Sequence, residues 1–479
     1  MIIAERNQEC NHDDQTLAEW VYAEATAVAR EVLQRIPPTV KESLITLEAI
    51  ESGVHQLTQH IGQQITQALM APPQRVALGV CRVCEAPLRL VDAGRPLKIF
   101  GIFGAYHWGR PYAVCPQGHG SDAPQDRRLQ LGPGSVSPTL AAILARLAID
   151  VPFDQVPDIV AETLRFPIDG ELVRRVTEQV GTWAEGQEQQ AIQRLSEEDA
   201  PAPTAPVPGP SALLISLDGA SVHTVRTQDG HRGWHEGKVG VCARFEPRST
   251  PENASVDEAR PDYGIPEFCI GFEPRAAFVP RLYWHAVQVG LNDPTCRLIV
   301  LTADGAHWIW EEGAARLRMA GKTVVEILDF YHASQHIWTV ADTVWPDKPQ
   351  REAWVERVLH RLRHEGGAIL DEVWEALPPL TAADAEVVAK ERAYFTYHAT
   401  RLNYPYYRSQ GFPIGSGIIE SACKTVLKQR ESGGGMRWKE AGAQAIATLR
   451  ALHRSGKWKA FWSSHPLAQL VPRSRRIAA

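Results

Sequence analysis

The chain has 479 residues, 44% of them hydrophobic and 22% charged, with a formal charge of −6. That length calls for two to four domains rather than one core, and the composition is that of an ordinary folded protein, not a disordered or fibrous one. There is no run of about 18 apolar residues and the opening MIIAERNQECNHDDQ is polar and acidic, which excludes a transmembrane helix and a signal peptide and points to a cytoplasmic protein.

Residues 1–75 read as a helical region. Ile50, Val54, Leu57, Ile61, Ile65 and Leu69 recur in steps of three and four, which is one helical stripe. It either packs against the rest of the chain or pairs with a second copy.

Residues 76–125 form a zinc-ribbon-like module. Cys81-Arg-Val-Cys84 is followed after 30 residues by Cys115-Pro-Gln-Gly-His119, with the strand-like LRLV and LKIF between. Two ligand pairs on short knuckles suit one tetrahedral Zn²⁺ of structural type. His107 is the alternative to His119 as fourth ligand. The other cysteines after this module, Cys242, Cys269, Cys296 and Cys423, are scattered and read as small buried hydrophobes.

Residues 126–198 show three helical patterns, SPTLAAILARLAID, PFDQVPDIVAETLRF and DGELVRRVTEQVGTW. Ser137-Pro138 is a cap followed by a first-turn proline. The three helices fit either a helix-turn-helix or a plain bundle. Residues 199–211 then hold five prolines between Pro201 and Pro210, an extended linker.

From 212 to 455 the pattern is α/β. ALLISL (212–217), KVGVCARF (238–245), EFCIGF (267–272), RLIVLT (297–302) and TVVEIL (323–328) are strand-like, with helical stretches after the third and fourth. The order βββαβαβ predicts a mixed five-stranded sheet, with a helical insertion over about 340–410. Asp218, Asp304 and Asp329 end the first, fourth and fifth strands, where sites gather in open sheets. Beyond a break at Gly415-Ser416-Gly417, a helix carries Glu420, with Lys424 and Lys428 following in steps of four. Two hard cations about 3.5–4 Å apart need oxygen ligands, and three carboxylates can supply them for phosphodiester chemistry. His332 and His336, four apart, share a helix face with Asp329.

The charge is unevenly spread. Residues 401–479 hold 14 Lys and Arg against 3 Asp and Glu, a net +11, so the preceding 400 residues carry −17. Such a basic end fits a phosphate-binding surface, though within the basic tail over 456–479 the stretch 471–479 reads as a solvated, disordered segment. Trp438 beside Arg437, in the glycine-rich GGGMRW, is a candidate DNA contact.

LDGASV (217–222), TADGAHWIW (302–310), ILDFYHASQHIW (327–338), PIGSGIIESACK (413–424) and RESGGGMRW (430–438) together resemble the Asp-Asp-Glu transposases of the RNase H-like superfamily. More narrowly they resemble the Kra-type transposases of bacterial insertion sequences, whose pattern is that of the Mutator-like group. The resemblance covers roughly 210–455 and, less specifically, the Cys/His module. It implies an RNase H-like catalytic domain in which Asp218, Asp304 and Glu420 bind two Mg²⁺ or Mn²⁺ ions. Asp329-Phe-Tyr-His332 resembles that group's Asp-x-x-His element, placing Asp329 and His332 beside the site or on DNA, with Lys424, Lys428, Arg437 and Trp438 as further contacts. The implied activity is cleavage of element ends and joining of a 3′-hydroxyl to target DNA. The implied partners are double-stranded DNA, both terminal inverted repeats and target, and a homodimer or larger homo-oligomer in the bacterial nucleoid. A plain RNase H-like nuclease or resolvase and a domesticated DNA-binding regulator are the alternatives.

Overall fold

The computed structural model describes residues 46–71, 77–131 except 82 and 130, 136–197, 211–226, 233–247 and 263–464 except 416, with scattered positions between 19 and 34. The proline-rich stretch lies outside the described residues but for its ends, as does the basic tail beyond 464. The chain divides into two compact units, 1–68 and 69–479. No described helix is long and apolar enough to cross a membrane.

Helix α1 (Leu47–Met70) carries the apolar stripe expected of it, and Ile50, Val54 and Leu57 on that stripe are exposed.

The second unit opens with a small antiparallel sheet. Strands β1 (Arg89–Gly101) and β2 (Gly104–Val114) form a hairpin closed at Gly101–Gly104, and β3 (Ser121–Asp122) adds at the β2 edge. Three helices follow: α2 (Pro138–Ala148), α3 (Val156–Thr163) and α4 (Gly170–Glu197). The Ser137 hydroxyl caps α2 by accepting from Leu140 N at 3.3 Å, with Pro138 in the first turn where its missing N–H has no partner to lose. Helix α4 buries Val173, Val176 and Val180 in a core shared with Leu449, far along the chain. The inner face of α4 is thereby committed to the protein interior.

A mixed sheet forms the centre of the unit. Its strands are β4 (Ala212–Arg226), β5 (Gly233–Phe245), β6 (Glu267–Gly271), β7 (Leu298–Ala303) and β8 (Thr323–Leu328), in the order β6-β5-β4-β7-β8. The first three pair antiparallel, while β4, β7 and β8 run parallel. A sixth strand, β9 (Trp438–Lys439), pairs with the far end of β4, so the sheet has six strands rather than the expected five. Strand β4 also runs nine residues past the predicted end. Its continuation places Ala220, Val222 and Thr224 inside, the alternation of a half-buried strand. Asp218 therefore stands within the strand and does not terminate it.

Helices cover both faces. On one lie α5 (Arg275–Gln288), α6 (Phe330–Val344) and the insertion, which includes α7 (Lys348–Glu365) and α8 (Ala382–Tyr397). On the other lie α9 (Gly417–Ala422), which continues as a π-helical turn over Cys423–Lys428, and α10 (Glu440–Arg454).

Arg450 of α10 is 1% exposed and holds these parts together. Its guanidinium donates to Val426 O at 2.7 Å and to Thr425 O, both in the π-turn, and to Ile149 O and the Asp150 carboxylate at 2.7 Å, just beyond α2. Arg430 donates similarly to Ala148 O at 2.8 Å, its guanidinium between the rings of Phe153 and Trp438. Two buried cations thus satisfy the carbonyls that a helix end leaves open. Arg450→Leu would leave several buried acceptors unpaired at once. We expect it to lower unfolding free energy by about 3 kcal/mol or more, read by thermal or urea unfolding.

Candidate functional site

Register brings the strand-end acids together. Leu217 on β4 pairs with Ala303 on β7, and Ala303 pairs with Leu328 on β8, so the following residues, Asp218, Asp304 and Asp329, stand in a row across three adjacent strands. Each carboxylate accepts a local backbone N–H: Asp218 from Gly219 at 2.7 Å, Asp304 from Ala306 at 3.0 Å and Asp329 from Tyr331 at 2.8 Å. Asp329 is 5% exposed and caps α6, while Asp218 and Asp304 are half-buried.

Burial pushes the Asp304 carboxyl above the ordinary carboxylate range. The Ala306 N–H and nearby His332 pull it down, and Asp218 and Glu236 push it further up. Glu236 was not anticipated. It reaches across from β5, and its carboxylate lies in the space that a side chain on Gly219 would take.

Glu420 comes to the same region from α9. The Cys423 thiol, three residues on and so on the same helix face, donates to Asp218 Oδ2 at 3.6 Å. Burial pushes that thiol up, with Asp218 and Asp304 adding to the effect. Cys423 was expected to be only a small buried hydrophobe; it is also the contact that sets α9 against the strand-end acids. Glu420, Lys424 and Lys428 are all exposed. Over Cys423–Lys428 the helix is π-helical, where a regular α-helix was expected. Asp218, Asp304 and Glu420 do not converge as tightly as a closed metal cage. Among the described residues, the only set of three or more ligand side chains whose atoms all lie within 4.8 Å of one another is in the N-terminal module.

Two predicted contacts part company. Arg437 is exposed. Trp438, its neighbour, is 6% exposed, lies against Arg430 and donates its indole N–H to Glu431 O at 3.0 Å. Its place in β9 makes it a core residue and removes it from the DNA-facing set.

In the module, Cys81, Cys84, Cys115 and His119 converge. Cys84 and Cys115 sulfurs are 3.6 Å apart, and His119 Nδ1 stands 3.7 Å from Cys115 and 3.9 Å from Cys81. A zinc tetrahedron with Zn–S of about 2.3 Å has edges of about 3.8 Å, so the set fits that ion. Backbone N–H groups of Val83 and Gln117 donate to Cys81 and Cys115, each at 3.4 Å. The Val83 and Cys84 N–H groups hold the Cys81 thiol down to about 6, favouring the thiolate that a metal needs. His107 sits on β2 opposite Lys98 and is not in the cluster.

No protein-family model matches this chain, and no curated protein does.

Purified protein should contain one zinc per chain, measured by elemental analysis, and Cys84→Ser should lose it and melt at lower temperature. Asp304 yields a second expectation. Its folded pKa is raised, so the folded state gains from the protonated acid at low pH and loses that gain as pH rises through the raised value. At neutral pH the charged, buried carboxylate costs stability. Asp304→Asn, which keeps the acceptor for Ala306 N–H, should therefore melt higher than the parent at pH 7 in metal-free buffer. The difference should shrink as the pH is lowered toward the carboxylate range.

Proposed function

We propose that this chain is a DNA transposase of an insertion sequence, built on an RNase H-like catalytic domain and similar to the Kra-type enzymes. The observation that carries the reading is the juxtaposition of Asp218 and Asp304 on neighbouring parallel strands, with the helix of Glu420 seated on Asp218 through Cys423. The strand order, with three antiparallel strands and two parallel ones added at the β4 side, supports the same fold class.

In this reading Asp218, Asp304 and Glu420 hold two Mg²⁺ or Mn²⁺ ions, which supply charge neutralisation on the attacking and leaving oxygens of a phosphodiester. Lys424, next to Glu420 on exposed helix, and Arg437, in the glycine-rich turn, are placed to take the DNA backbone. The zinc in this reading is structural and contributes to folding of the N-terminal module.

Gel shift and Mg²⁺-dependent nicking of a fragment bearing the terminal inverted repeats test this on the same proteins. Asp218→Asn, Asp304→Asn and Glu420→Gln should bind DNA as the parent does and lose nicking by about 10²-fold or more. Full cleavage by Glu420→Gln removes that residue from the site. A parent that cuts without end specificity is a nuclease or resolvase, and one that binds without ever cutting is a regulator.

A further inference from the structure

The helical insertion reaches the strand-end acids through a chain of side chains on α6 and α8. Glu391, on α8, is 7% exposed, and its carboxylate lies 2.5 Å from His336 Nδ1 on α6. His336 Nε2 in turn lies 3.3 Å from His332 Nε2, one helical turn earlier. The Tyr394 ring stacks on His336 at 3.7 Å with an 18° tilt, which fixes the imidazole plane. Tyr394 also fills the space beside Gly305, so the residue after Asp304 can carry no side chain while α8 is in place. The Tyr394 hydroxyl is buried and has no protein partner.

These contacts dictate proton positions. An ionised carboxylate only accepts, so His336 carries its proton on Nδ1. In the neutral ring His336 Nε2 is then an acceptor. The facing Nε2 of His332 must be the donor, which leaves His332 Nδ1 without a proton. Tyr394 joins His332 to the strand end: its ring centroid lies 6.3 Å from that of His332, and the same ring fills the space beside Gly305, the residue after Asp304.

We propose that Glu391 and His336 are positioning residues for the catalytic centre: they lock His332 as the Nε2–H tautomer, with a bare Nδ1 available beside Asp304. There it accepts a hydrogen bond from the water or 3′-hydroxyl that attacks the phosphodiester and so orients the nucleophile. This role for His332 rests on the transposase reading; the tautomer assignment does not. Packing alone has no need of a buried carboxylate under the first ring, nor of two imidazoles aligned nitrogen to nitrogen. The insertion is on this view part of the catalytic centre rather than a spacer.

The test uses the full chain, free of DNA and Mg²⁺, with ¹⁵N-labelled histidine. His332 and His336 signals are identified by their loss in His332→Gln and His336→Gln. The parent should show His336 protonated at Nδ1 and His332 at Nε2. Glu391→Ala should abolish that pattern, while Glu391→Gln, whose amide oxygen still accepts from Nδ1–H, should keep it. In the nicking assay Glu391→Ala should lower kcat about 10–100-fold with KM for DNA little changed, the range for losing a residue that orients a ligand. Glu391→Gln should recover most of the rate. A parent with His336 protonated at Nε2, or a Glu391→Ala protein with unchanged tautomers, overturns the proposal without any need for activity. Tautomers as expected with equal nicking by Glu391→Ala and the parent overturn the catalytic role. If the parent never nicks DNA, the transposase reading falls and the His332 role falls with it, while the spectra still decide the tautomer lock.

Discussion

Arg450 is the contact on which the arrangement of this molecule turns. A guanidinium with five donors on a rigid plane can serve several carbonyls at once, which an ammonium cannot do as well. Here it serves the π-turn after Glu420 and the end of α2 together. A π-turn is a locally unfavourable helix geometry and persists only where its surroundings fix it. By accepting its carbonyl bonds from outside, that turn is held, and with it the angle at which Cys423 meets Asp218. The same cation makes the bundle of α2 to α4 inseparable from the sheet: Leu449, next to it, is part of their core. Burying a charge so deeply is costly unless every donor is used, which is why so many carbonyls converge there.

The acids across β4, β7 and β8 depend on a second constraint, parallel register. Side chains alternate with a period of two, so a slip of one residue on any of these strands would turn its acid to the opposite face. The buried backbone of Leu213 to Leu217, Ile299 to Leu301 and Ile327 to Leu328 prevents it. The cost appears at Asp304, whose carboxyl is held in a desolvated place that favours the neutral acid.

Much of this was legible in the chain itself. TVVEIL was read as a strand over 323–328, and β8 has those bounds; the Cys/His spacing pointed to a cluster that does assemble. What escaped the reading was long-range. Strand β4 was cut short because Asp-Gly reads locally as a turn, although Ala220, Val222 and Thr224 continued the alternation. Trp438 beside an arginine in a glycine-rich turn looks like a stacking platform, and only its pairing with Thr224 makes it core. The basic end was read as surface charge, yet Arg408, Arg430 and Arg450 are all buried. Glu391 lies 55 residues from His336, so no local pattern ties them, and His336 itself was visible only as one of two histidines on a helix face. Glu236 pairs with Ser221 and reaches over Gly219 two residues back, a contact hidden as long as β4 was taken to end before Asp218.

The parallel pairing has a consequence for how the molecule is made. Ser216 and Thr302, which bond side by side in the sheet, are 86 residues apart, and Arg450 meets Ile149 across 301 residues. Contacts of such span form slowly, and a chain growing at the ribosome folds from its N-terminal end. The antiparallel half of the sheet can form as β4 to β6 emerge, but its parallel half waits for β7 and β8, and the helix of Glu420 cannot be locked until α10 follows. A nascent chain therefore keeps its parallel strand edges open while the segments between them are made. The row of acids is withheld by topology until β8 and α10 have both emerged.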